Sequence, residues 1–286
     1  MSANLKKSLA ALSKHGPYRV LSGDLAYAGV PGRLYTPEEG SGIPGVAFAH
    51  AWLKKSKAYD STLRHLASWG IAVAAPDTES GFNPSHRGFS ADLDSALQIL
   101  GGVRLGNGNV TVSPTRLGVV GHGMGAGCAI LTAQNYHRVK AVVAAFLSVT
   151  SPSCEYAARG VDTPGLVIGS GKKQLVAQGY PATVAKNYGG PVVYREMDKA
   201  DHESFSEDTL FKLAFGLGGP QRSARETERG LITGFLLHQL GEQKRYAAFS
   251  DPEATAKGVT SLSGEELEKK AEEEDPRHLP DELPSA

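Results

Sequence analysis

Three short stretches of this chain carry residues that could do chemistry. The first, Gly121-His122-Gly123-Met124-Gly125, alternates three glycines with His122 and Met124 at the start of a helical pattern. The second, Lys199-Ala200-Asp201-His202-Glu203-Ser204, offers an imidazole that could take a proton from water if the two come within reach. The third, Ser170-Gly171-Lys172-Lys173-Gln174, supplies two cations. Backbone N–H groups at a glycine-rich helix start, with Lys54, Lys55, Lys172 and Lys173 nearby, point to a pocket for a small anionic or acyl ligand. Lys54 and Lys55 read equally as a solvated surface pair. His50, His122 and His202 are joined by no cysteine or carboxylate at ligand spacing, so neither a metal nor another cofactor is expected. Gly121-x-Gly123-x-x-Ala126 imitates a dinucleotide fingerprint, but several strands precede it and no acid ends the following apolar run. Cys128 reads as a core helix residue rather than a nucleophile.

Composition narrows the function classes. Lys and Arg together number 30, as do Asp and Glu, so no overall field favours nucleic acid. The two cysteines, Cys128 and Cys154, form no ligand or disulfide pattern, which fits a reducing compartment and a cytoplasmic location. No run approaches the ~18 apolar residues of a membrane span. Residues 1–16 form an amphipathic segment with Leu5, Leu9 and Leu12 on one face, expected to pack on the body.

The elements that must position these residues follow from periodicity. Short β-branched runs alternate with amphipathic helical patterns, which predicts an α/β domain over 17–250 with a mostly parallel sheet covered on both faces. Strands are expected at 18–22, 32–35, 46–50, 71–77, 117–121, 139–145, 166–169 and 192–196. Tyr59, Leu63 and Leu66 mark one helix, and Leu93, Ala96, Leu97 and Leu100 mark another. Residues 251–286 read as an acidic, partly disordered extension. From 264 onward nine carboxylates face only Lys269, Lys270 and Arg277. Ser263-Gly-Glu-Glu266 predicts a capping box that opens one short helix, and Pro276, Pro280 and Pro284 then forbid regular structure. This tail is a candidate docking peptide for a protein partner.

With the elements placed, the chain resembles the dienelactone-hydrolase and cutinase-like polyester-hydrolase branch of the α/β-hydrolases. The likeness spans 46–249. It rests on His50-Ala51-Trp52, Ser68-Trp69-Gly70-Ile71, Ala75-Pro76-Asp77-Thr78, the glycine turn, and Arg245-Tyr246-Ala247-Ala248-Phe249. It implies an α/β-hydrolase fold of about eight strands in which 121–125 is the nucleophile elbow Gly-x-Ser-x-Gly, with Gly123 where the serine belongs. It further implies the backbone N–H groups of Trp52 and Met124 as oxyanion hole, and His50, His122 and Lys172 around the pocket. Lys173 falls at the acid position and His202 at the catalytic histidine. Without a hydroxyl no acyl-enzyme forms there. Without a carboxylate an imidazole is neither oriented nor stabilised as imidazolium. The expectation is therefore a catalytically inactive hydrolase-like protein that binds a ligand or a protein. The alternative is weak or altered ester or lactone hydrolysis, with His202 activating water.

Overall fold

The computed structural model describes residues 5–171, 179–207 and 221–275. Lys172 and Lys173 lie outside them, as do residues 276–286. The described chain builds β1 (Val20–Asp24), β2 (Gly32–Pro37), β3 (Gly40–Ala49), β4 (Ala72–Pro76), β5 (Val110–His122), β6 (Val139–Ala145), β7 (Gly165–Ser170), β8 (Val192–Met197) and β9 (Val259–Leu262). These form one sheet in the order β1-β2-β4-β3-β5-β6-β7-β8-β9. The strands from β3 to β8 run parallel, while β1, β2 and β9 join antiparallel at the two edges.

The helices are α1 (Leu5–Leu12), α2 (Asp60–Ser68), α3 (His86–Gly102), α4 (Met124–Asn135), the short α5 (Cys154–Ala157), α6 (Pro181–Asn187), α7 (Arg222–Gln239) and α8 (Gly264–Glu274). Alternation along the strands sorts the core into two layers. On β6, Val142 and Ala144 pack with Phe89, Leu93 and Leu97 of α3. Ala141, Val143 and Ala145 pack instead with Leu63 and Leu66 of α2 and Leu231 and Phe235 of α7. Strands buried on both faces read as nearly continuous apolar runs, which is why the central ones are plain in the sequence. Leu5, Leu9 and Leu12 are buried, so the amphipathic start does pack on the body.

The segment after residue 250 differs from a solvated extension. Val259–Leu262 pairs with β8, and Leu267 and Ala271 of α8 enter the core. Glu274 accepts a hydrogen bond from the Ala182 N–H in the first turn of α6. The short β9 escapes detection because Val259 is its one buried residue. The capping box does not form as expected: the Ser263 hydroxyl donates to Glu253 Oε1 at 2.7 Å and makes no cap bond to α8.

The chain passes from β3 to its neighbour β4, then returns to the other side of β3 as β5. Loops leaving the carboxyl ends of β3 and β5 therefore diverge, and in open α/β sheets this reversal is where ligands bind.

Candidate active site

The glycine turn joins β5 to α4 across residue 123, whose φ of 59° and ψ of −120° lie in the strained region of a nucleophile elbow. Close packing forces the flanking glycines. A Cβ at Gly121 would lie 2.1 Å from the Gly125 carbonyl oxygen, and one at Gly125 would lie 2.3 Å from that of Ala49. The backbone of a working elbow is thus present without its side chain. A Cβ at Gly123 would stand 2.6 Å from His202 Nε2 and 3.0 Å from the Ala51 Cβ. The imidazole has entered the space that a serine would fill.

His202 opens a short turn after β8 and is held from several sides. Its carbonyl accepts from His122 Nε2 at 2.9 Å, and the two rings lie 4.4 Å apart. Because a carbonyl only accepts, His122 Nε2 carries the hydrogen and Nδ1 is an acceptor. Tyr59 donates to that Nδ1 at 2.8 Å, and its oxygen accepts the Ala51 N–H at 3.1 Å. This buried relay ties the loop after β3, the elbow and the His202 turn into one unit.

One expectation is overturned here. The imidazole does have a carboxylate partner: His202 Nδ1 lies 3.2 Å from Glu203 Oε1. This contact makes Nδ1 the protonated nitrogen and leaves the Nε2 lone pair facing Gly123. Glu203 in turn lies 3.6 Å from Lys54 Nζ. Lys54 is therefore not a solvated surface cation, because its side chain is 5% exposed and turned inward, while Lys55 is exposed. Nothing in the family pattern points to Glu203, since that pattern places the acid after β7. Its adjacency to His202 was the one signal available.

The other expected residues divide between the site and its support. The Met124 N–H lies in the first turn of α4, where no intrahelical acceptor exists, as an oxyanion donor requires. Trp52 follows Ala51 on the loop over the elbow. Its indole is about half exposed, donates to the Phe82 carbonyl at 3.2 Å and meets that exposed ring edge-on. His50 does not line an open pocket. It is fully buried, with Nδ1 2.9 Å from the Ala51 carbonyl and Nε2 2.8 Å from that of Thr78, and burial pulls its pKa down. It braces the end of β3. His122 is likewise buried, beneath His202. Cys128 is sealed in the core, and burial pushes its thiol up to about 12, which removes it as a nucleophile. The Ser170 hydroxyl donates to the Ala200 carbonyl at 2.8 Å. A cleft of about 890 Å³ lined by Tyr18, Trp69, Arg104 and Arg116 opens at the opposite end of β3 and β5.

Behind the histidine turn, α7 supplies a second set of contacts. The buried Glu228 accepts a hydrogen bond from the Ser204 hydroxyl, and burial pushes its carboxyl up to about 7. Arg225 donates to the Ser204 and Ser206 carbonyls at 2.9 and 2.8 Å.

A mostly parallel sheet with helices on both faces, a strand–turn–helix elbow at the end of its central strand, and a histidine from the turn after β8 over that elbow define an α/β-hydrolase. Among the described residues no helix is long and apolar enough to cross a membrane. A family model described as PETase, PET hydrolase-like, matches residues 6–209, and the chain belongs to that family. A search of curated proteins finds no match.

Proposed function

We propose that this chain is a family member without the acyl-serine route, and that its site serves as a binding pocket for a carboxylate- or ester-bearing ligand. The observation that carries this reading is the approach of His202 Nε2 to the place where the Gly123 side chain would begin. No hydroxyl stands at the elbow, and the base that would have activated one occupies its volume. The Met124 N–H and the loop N–H of Trp52 would receive the ligand's oxygen. The exposed rings of Trp52 and Phe82 would cover its apolar part. Two buried thiols and the lack of a membrane-spanning helix among the described residues fit a cytoplasmic role. The acidic end of the chain remains a candidate contact for a protein partner.

The experiment is labelling with a fluorophosphonate probe, alongside turnover of short-chain nitrophenyl and alkyl esters. No phosphonylated serine and no alkyl-ester hydrolysis are expected. A stoichiometric adduct at any serine, or ordinary enzymic rates on alkyl esters, would overturn the reading. The second reading, a hydrolase in which His202 activates water, draws support from the Glu203 contact at Nδ1. It predicts steady ester turnover that disappears in His202→Ala.

A further inference from the structure

We propose that His202 itself is an acyl acceptor, taking the place of the missing serine toward activated acyl donors. The proposal rests on the reading that position 123 supplies no nucleophile, and it assigns a covalent step to a residue known in this architecture as a base.

Five observations converge on Nε2. It stands 2.6 Å from where a Gly123 Cβ would be, so it already occupies the nucleophile's position at the elbow. Glu203 at 3.2 Å fixes the hydrogen on Nδ1, which leaves the Nε2 lone pair to attack. The ring's freedom is restricted by the His122 ring 4.4 Å away and by the hydrogen bond from His122 to the His202 carbonyl. The Met124 N–H lies at the elbow's helix start, where charge on a carbonyl oxygen would develop. The side chain is 23% exposed, so one edge of the ring meets solvent.

The step balances without a further reagent. The Nε2 lone pair forms a bond to the carbonyl carbon, and the bond to the leaving oxygen or sulfur breaks with its electron pair. The acylimidazolium then passes its Nδ1 proton to the Glu203 carboxylate. Water adds to the acyl carbon and expels the imidazole, whose Nδ1 takes its proton back from Glu203; the free acid departs, and the water's second proton passes to solvent, balancing the phenolate or thiolate released in the first step. The leaving group must depart at least as readily as imidazole, so the donors are aryl esters and thioesters. An alkyl ester would expel the imidazole again.

The test is rapid mixing of native full-length protein with a bulky nitrophenyl ester such as the trimethylacetate, whose acyl intermediate hydrolyses slowly. The expected result is a burst of one nitrophenolate per chain, followed by slow steady release and recovery of unmodified protein. The burst should vanish in both His202→Ala and His202→Gln, the second keeping much of the ring's volume. In Glu203→Gln it should slow roughly tenfold, the size of one charge-assisted hydrogen bond. Three results would overturn the proposal: no burst, a burst that survives both His202 variants, or a permanent adduct on a lysine. His202-dependent release that is linear from the start would also overturn it, in favour of water activation. None of these outcomes bears on the fluorophosphonate result, so the two proposals fail separately.

Discussion

Gly123→Ser is the sharpest perturbation the structure offers, because each term of its outcome can be worked from the elbow. The backbone at 123 already holds the φ of 59° and ψ of −120° that a serine would have to tolerate. A side chain held there costs on the order of 1–3 kcal/mol. Its Cβ would meet His202 Nε2 at 2.6 Å, so the imidazole must withdraw by about 1 Å to an ordinary contact. That contact is the far edge of a side chain on a short turn, which yields more cheaply than backbone. The variant should therefore fold, with Tm lowered by roughly 2–12 °C. As the ring withdraws, the introduced hydroxyl would come within hydrogen-bond reach of Nε2 while Glu203 still faces Nδ1. No change at Lys173 is required for this. Alkyl-ester turnover should rise by roughly 10²–10⁴-fold over native, the range of a positioned base acting on a nucleophile. The fluorophosphonate probe should label the new serine. A folded variant with native turnover and no labelling would refute the claim that only the hydroxyl is missing.

Glu228→Gln tests the buried carboxylate behind the histidine turn, where Asp201, Arg225 and Arg229 are its charged neighbours. Raising its pKa from 4.5 to about 7 means that the native state binds the extra proton, so this group's contribution to stability is full below pH 4.5 and is lost as pH rises through 7. The loss amounts to about 3 kcal/mol above that window. Urea unfolding between roughly pH 5 and 8.5, a range that brackets the titration, should show a flatter slope in the variant, and an unchanged slope would count against the assignment. Tyr59→Phe removes the acceptor of the Ala51 N–H and the donor to His122 Nδ1, both buried. A loss of about 2–4 kcal/mol by chemical unfolding is expected, and a near-neutral result would show that the relay carries little. Truncation after residue 250 should unfold the protein rather than merely free a tail. The buried Arg195 guanidinium donates to the Ala254 carbonyl and to Ser261 Oγ, each at 2.6 Å, and would lose both. Stripping partners from a buried charge costs about 3–5 kcal/mol; circular dichroism and melting of the truncated chain are the check. Native protein should also leave Cys128 and Cys154 unreactive to a thiol reagent until denatured, since both are buried.

Much of the molecule was legible before folding because its signals are local or periodic. The apolar runs at 46–50, 117–121 and 139–145 announce strands buried on both faces, and the leucines of α3 fall at helical spacing. The glycines at 121 and 125 mark a turn with no room for side chains beside position 123, and the missing hydroxyl is a fact of composition at that single position. Tertiary structure alone decided which charges meet. Glu203 gains a role because the turn after β8 swings it beside the imidazole it follows. Lys54 leaves solvent because the loop after β3 folds over the elbow, and Tyr59 joins residues that are far apart in the chain. Residues 251–275 look like a solvated tail until β8 offers an unpaired edge and Arg195 an unpaired charge. Strands and helices are written in neighbouring residues, where spacing reveals them. Contacts between distant segments depend on how those elements pack, and no local pattern records that.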